Sequence, residues 1–210
     1  MQEGQESTEQ RSGFPITAVI LDCGQVLVPS LTADEFRPMA NMLSIGVESF
    51  YKLWEASRDS YDRGDVTAEE YWLKLAAQTN SSIDRRQIEI LRQVEVEMWT
   101  HPDPALLAWL SALNSAGFKT ALLSNMPLDL MTHVRENFQW MENFTFKTFS
   151  AEVRLLKPDP AIYEHTLRGL GVSADEALFV DDREANIQAR PRARHPCDSV
   201  PIHRAALKMT

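Results

Sequence analysis

Ala18-Val19-Ile20-Leu21-Asp22-Cys23-Gly24-Gln25-Val26-Leu27-Val28 is the stretch from which the rest of the chain is read. Four apolar residues, two of them β-branched, predict a buried strand. The run stops at a carboxylate, and a glycine two residues later lets the backbone bend sharply or approach a ligand. In an open α/β sheet, ligands bind beyond the carboxyl ends of the strands. Asp22 is thus placed where chemistry happens, although this stretch alone fits equally an aspartate that caps the next turn.

Three later segments fit the same scheme. Leu122-Leu123-Ser124-Asn125 is a second apolar run, ending in a hydroxyl and an amide. Leu156-Lys157-Pro158-Asp159-Pro160 offers a lysine whose flanking prolines restrict the backbone. Ala177-Leu178-Phe179-Val180-Asp181-Asp182 is a third apolar run, ending in two carboxylates. In this order the set resembles the motifs of the haloacid dehalogenase (HAD) superfamily. The closest likeness is to its phosphatase branch with an Asp-x-Gly-x-Val first motif, which includes α-D-glucose-1-phosphate phosphatase-like proteins. The N-terminal phosphatase domain of epoxide hydrolase is a more distant relative. The resemblance spans about residues 16 to 190.

It implies an α/β fold: a doubly wound parallel sheet, the HAD-like Rossmannoid core, with a helical cap inserted after the first strand. Strands alternating with helices argue independently for such a sheet. Residues 14–30 and 101–190 form the expected core. From Thr32 to about residue 100 the apolar residues recur at helical spacing, which predicts four helices and no strand. One of them runs from Glu48 to Arg58. Thr67 to Glu70 reads as a capping box, and Asp84 as the cap of a helix reaching Met98. By resemblance, residues 31–100 are the cap that closes over the site and selects substrate. Tyr51, Trp54, Tyr61, Tyr71 and Trp72 are candidate walls of its pocket, or its own core. The bland alternative is that these helices merely cover the sheet.

The resemblance also assigns roles. Asp22 is the nucleophile of a phosphate monoester hydrolase that works through an aspartyl-phosphate. Ser124 and Asn125 supply polar contacts to the phosphoryl group or its loop. Lys157 supplies positive charge to Asp22 and the transferring group. Mg²⁺ is the implied cofactor, held by Asp22, the carbonyl of Gly24 and Asp182, since hard oxygen donors suit that ion. Asp181 and Asn186 stand behind these ligands. A lone lysine or an Asp-Asp pair is ordinarily a solvated surface feature; the order of the motifs sets these apart.

One position departs from the pattern. Most HAD phosphatases carry a second aspartate where this chain has Gly24, and that group protonates the leaving oxygen and later activates water. Glycine does neither. Either the substrates have good leaving groups, as anomeric sugar phosphates do, or the cap lends an acid, or the protein mainly binds. Two alternatives to the phosphatase therefore stand. One is a hydrolytic 2-haloacid dehalogenase, against which the Asp181-Asp182 pair argues. The other is a catalytically weak phosphometabolite-binding or interaction protein.

The bulk numbers narrow the field. With 21 basic and 30 acidic residues among 210, the net charge is −9. That leaves no basic footprint for nucleic acid. Apolar residues make up 44% of the chain, enough for a real core. Two cysteines, Cys23 and Cys197, form no disulfide or zinc pattern. Residues 1–13 are polar, lack an apolar leader core and predict disorder. No stretch reads as a membrane span. The expected setting is the cytoplasm, the expected partner a small phosphorylated metabolite of the sugar phosphate class, and the expected state a monomer or homodimer.

After Asn186-Ile187-Gln188-Ala189 the pattern fails. Residues 191–210 combine prolines and arginines that suit neither a helix nor a buried strand. Reading Arg192 to Val200 one base later is compatible with Ala-Leu-Gly-Ile-His-Ala-Ile-Leu, the apolar continuation the resemblance implies. A frameshifted tail would expose a sheet edge. The alternative is a basic tail that binds an acidic partner.

Overall fold

A computed structural model of the chain describes residues 15–191. The expected disorder of residues 1–13 and the shifted tail beyond Pro191 lie outside the described residues. In chain order the elements are β1 (Ala18–Leu21), α1 (Ala33–Met42), α2 (Val47–Ala56), α3 (Arg58–Asp62), α4 (Ala68–Gln78), α5 (Arg85–Met98) and α6 (Pro104–Ser115). They continue with β2 (Lys119–Ser124), α7 (Leu128–Asn137), β3 (Phe146–Phe149), α8 (Ser150–Val153), α9 (Pro160–Leu170), β4 (Ala177–Val180) and α10 (Glu184–Ala189).

The strands form a four-stranded sheet in the order β3-β2-β1-β4. Every pairing is parallel. β1, the first strand made, therefore lies in the middle. Its four residues are all buried, because a parallel sheet is covered on both faces. Alternation along the strands divides the core. Val19, Leu21 and Leu122 join Leu110 and Leu130 on one face. Ala18, Ile20 and Leu123 join Ile162 and Leu167 of α9 on the other. This is the doubly wound arrangement that the strand–helix alternation predicted.

The segment between β1 and α6 holds five helices, not the four predicted. The helix expected over Glu48 to Arg58 ends at Ala56, and α3 begins after Ser57. A core of its own, centred on Phe36, Phe50, Trp72 and Leu91, holds these helices together. Both predicted N-caps are present. Thr67 accepts from the Glu70 amide while Glu70 receives the Thr67 amide. Asp84 and Gln87 do the same. Tyr61, Tyr71 and Trp72 are fully buried in this core, whereas Tyr51 is 36% exposed. Four of the five aromatic candidates, Trp54 included, are therefore largely structural.

Several contacts seat the helical segment on the sheet layer. The Tyr61 hydroxyl donates to the Asp129 carboxylate at 2.8 Å, and Arg92 Nε approaches it at 3.1 Å. Arg154 donates to the Gly64 carbonyl at 2.7 Å. Gly64 has φ +77°, in a turn whose position 64 faces the carbonyl of Ala151. The buried Ser150 hydroxyl donates to the Asp62 carbonyl and accepts from the Met126 amide.

Candidate active site

The register of the sheet assembles the site. Leu21 pairs with Val180 and with Leu122, so the chain leaves β1, β4 and β2 side by side at one edge. Asp22 continues the ladder by donating its amide to the Val180 carbonyl at 3.0 Å. Asp181 and Asp182 emerge beside it. The carboxylate oxygens of Asp22, Asp181 and Asp182 lie within 4.8 Å of one another.

Lys157 reaches into this cluster from the loop before α9. Its Nζ lies 2.8 Å from Asp22 Oδ1 and 2.7 Å from Asp181 Oδ2. The lysine is 5% exposed, which a charged side chain tolerates only when paired. Burial opposes its charge, but Asp22 and Asp181 outweigh that and hold its pKa above the ordinary value. Asn125 fixes the loop itself. Its side-chain nitrogen donates to the Lys157 carbonyl at 3.0 Å and its oxygen accepts from the Lys157 amide at 2.8 Å. The amide is thus spent on the backbone that carries the lysine. Ser124 is buried at the end of β2.

Asp181 is held on both oxygens. Oδ2 meets Lys157; Oδ1 accepts from Asn186 Nδ2 at 2.8 Å and from the Arg183 amide at 2.9 Å. Asn186 therefore orients Asp181. Asn186 is itself placed by Tyr163, whose hydroxyl donates to its carbonyl at 2.8 Å. Tyr163 lies inside an amphipathic helix and reads there as core, so no sequence signal marks it.

The electrostatics follow from this crowding. Burial pushes the Asp22 carboxyl up to about 7; Lys157 opposes the shift, while Asp181 and Asp182 reinforce it. Burial, then Asp181, also raises Asp182. Cys23 is buried and its thiol is pushed up to about 12, first by burial and then by Asp22. It is an inert packing residue. Three carboxylates face one lysine, and the Asp181 oxygens are already matched. The remaining hard oxygens of Asp22 and Asp182 fit a small divalent cation such as Mg²⁺.

At Gly24 the local bend differs from the expectation. The left-handed residue is Gln25, with φ 58°, and Gly24 has no positive φ. What position 24 requires is room: a Cβ built there would lie 3.0 Å from Cζ3 of Trp99. Trp99 follows α5 and packs against both the helical core and the sheet core. It precedes the His101-Pro102 linker, where nothing in the sequence distinguishes it.

A parallel α/β core that gathers three carboxylates and a buried lysine at its carboxyl edge defines a class of hydrolase. The chain belongs to the haloacid dehalogenase-like hydrolase family, which it matches over residues 16–194. It is 25% identical to the 6-phosphogluconate phosphatase of Escherichia coli over 179 residues, 83% of this chain and 77% of that protein. A HAD family enzyme of Bacteroides thetaiotaomicron, solved with magnesium and inorganic phosphate, superposes with a TM-score of 0.67 at 19% identity, covering 83% and 88% of the two chains. The L-2-haloacid dehalogenase of Xanthobacter autotrophicus, solved with chloropropionic acid covalently bound, superposes at 0.63 with 20% identity, covering 83% and 73%. Among the described residues, no helix is long and apolar enough to cross a membrane.

Proposed function

We propose that this protein is a Mg²⁺-dependent phosphatase that hydrolyses a small phosphate monoester, with sugar phosphates the first candidates, through an aspartyl-phosphate on Asp22. The observation that carries the reading is the salt bridge between Lys157 Nζ and Asp22 Oδ1 at 2.8 Å, beside the carboxylates of Asp181 and Asp182. The 6-phosphogluconate phosphatase relative supports it.

Phosphoryl transfer asks a protein mainly for position and charge. A carboxylate oxygen of Asp22 attacks phosphorus, the P–O bond to the leaving group breaks, and that oxygen departs with the electron pair. Water then attacks the phosphorus of the aspartyl-phosphate, and the Asp22–phosphorus bond breaks. Lys157 favours the ionised form of Asp22, opposing its burial, and faces the charge that develops on the phosphoryl oxygens. Asn125 holds the Lys157 backbone, and Asn186 keeps Asp181 turned toward Lys157. Ser124 is the hydroxyl donor for a phosphoryl oxygen. Asp22, Asp182 and the Gly24 carbonyl are the proposed Mg²⁺ ligands. The bound ion supplies Lewis-acid polarisation of the phosphoryl group and offsets repulsion between it and Asp22.

The paired carboxylates weigh against the dehalogenase reading, in which no metal is needed. The test is phosphate release from a panel of sugar phosphates and p-nitrophenyl phosphate, with Mg²⁺ and with chelator. Metal-dependent release lost in Asp22→Asn supports the reading. Chloride release from a 2-chloroacid without metal would replace it. Tight phosphosugar binding by folded protein without turnover would make it a binding protein.

A further inference from the structure

Trp99 occupies the space into which any side chain at position 24 would project. Its Cζ3, Cη2 and Cε3 atoms lie 3.0, 3.5 and 3.7 Å from an ideal Cβ on Gly24. The first distance is tighter than a real Cβ contact ordinarily permits, so even alanine would press on the ring, and an aspartate would have to displace it. The ring is held by packing and not by a hydrogen bond: Trp99 Nε1 is buried with no partner among the described residues. Trp99 stacks on Trp54, with centroids 6.5 Å apart and planes 17° apart. Trp54 stacks in turn on Tyr51 at 6.2 Å and 28°. Tyr51 is 36% exposed, and its pKa is raised first by burial and then by Glu55, with Arg183 and Asp182 also acting on it. An aromatic ladder therefore runs from the residue two positions past Asp22 to a solvent-exposed tyrosine that feels the far carboxylate of the site.

Resting on the phosphatase reading above, we infer that Trp99 is a specificity-determining residue that replaces a general acid with an aromatic wall. It restricts the enzyme to monoesters whose leaving oxygen is weakly basic, as that of an anomeric sugar phosphate is. When Asp22 attacks phosphorus, the leaving oxygen departs with its electron pair and takes no proton from the protein. A phenol, with a pKa of about 10, can leave in this way. A primary alkoxide needs the acid that Gly24 does not supply. In the second step the attacking water gives its proton to the phosphate product, whose second pKa is near ~6 in a monoester.

The test compares kcat/KM for p-nitrophenyl phosphate, phenyl phosphate and 6-phosphogluconate, a primary alkyl ester, with Mg²⁺. The proteins compared are wild type, Gly24→Asp, Trp99→Leu and the double variant Gly24→Asp/Trp99→Leu. General acid catalysis contributes on the order of 10²–10⁴-fold, so wild type is expected to favour phenyl phosphate over the alkyl ester by at least about 100-fold. Gly24→Asp alone should lose activity on every ester, because the carboxyl and the indole compete for one space. The double variant should raise alkyl turnover about tenfold or more above wild type and flatten the dependence on leaving group. A merely structural Trp99 would lower all substrates together without changing that dependence. Equal wild-type turnover of phenyl and alkyl esters would overturn the inference and leave the phosphatase reading intact. So would a Gly24→Asp single variant that gains alkyl turnover. No release from p-nitrophenyl phosphate by folded wild type would overturn both. If the double variant does not fold, the Gly24→Asp single variant still decides, because a gain in alkyl turnover there overturns the inference.

Discussion

Lys157 and Asp22 meet at 2.8 Å although 135 positions separate them in the chain, and Lys157 simultaneously holds Asp181 at 2.7 Å. One ammonium therefore pins the ends of β1 and β4 together at the point where both strands leave the sheet. Removing one partner of a buried pair leaves uncompensated charge, which costs about 3–5 kcal/mol. Lys157→Met is expected to lower the urea midpoint of the metal-free protein strongly at pH 8. The loss should shrink at pH 5, where Asp22, raised to about 7, takes up a proton and no longer needs the lysine. Phosphate release should fall by at least about 100-fold, the scale of a lost electrostatic contact in a reacting site. A variant as stable and as active as wild type at pH 8 contradicts the role.

The elevated Asp22 gives the metal a pH dependence. A cation bound by the ionised carboxylate competes with the proton. Below about 7, Mg²⁺ affinity measured by calorimetry should rise about tenfold per pH unit, and it should level off above. The sign follows from a folded pKa raised above the ordinary 3.8: between these values the metal-free fold holds a proton that binding must expel. Asp22→Asn should weaken binding and remove the slope. A wild-type affinity flat from pH 5 to 8 rules out Asp22 as a ligand in its raised state.

The helical segment carries a buried charge cluster of its own. Arg58 pairs with Glu95 and, at 2.7 Å, with Asp62, and its guanidinium lies 4.7 Å from the Trp54 ring centre. Trp54 Nε1 also donates to Glu95 at 3.2 Å. Arg58→Met strands two buried carboxylates and is expected to destabilise the fold by about 3–5 kcal/mol. The double variant Arg58→Met/Glu95→Leu should recover part of that loss. Denaturant midpoints decide, and a double variant less stable than the single contradicts the account.

Asp129 fastens the helical segment to the sheet layer. It accepts from Tyr61 at 2.8 Å and from Arg92 at 3.1 Å, tying α3 and α5 to α7. Hydrogen bonds to charged groups contribute about 1.5–3 kcal/mol. Asp129→Ala should loosen the helical segment and speed proteolysis at residues 99–104, with a smaller change in the global unfolding midpoint. Equal cleavage rates would show that Asp129 does not hold the segment.

The parts legible in the sequence are those governed by local rules. Apolar runs ending in Asp22, Ser124 and Asp181 marked strand ends because β-branched and aliphatic residues bury themselves and carboxylates do not. The bounds of α7 and α9 could be read from Pro127, Asn137, Pro160 and Gly171, since proline starts a helix and glycine at φ 63° ends one. The illegible parts depend on contacts distant in sequence. Nothing local in the sequence marks Arg58 and Glu95 as buried partners, because the fold brings them together across 37 positions. Asn125 read as a contact to the phosphoryl group or to its loop, and only the fold shows its amide bonded to the Lys157 backbone. Asn186 read as standing behind the metal ligands, and the residue it orients there, Asp181, is visible only in the fold. Gly24 read as allowing a sharp bend or a close approach; the left-handed residue is Gln25, and what Gly24 leaves room for is the Trp99 ring.

The most direct test of the central claim is phosphate release from p-nitrophenyl phosphate by purified wild type and Asp22→Asn, each with Mg²⁺ and with chelator. The account predicts release by wild type only with Mg²⁺, and none by Asp22→Asn beyond background. Release that survives chelation, or that survives Asp22→Asn in a folded protein, contradicts it.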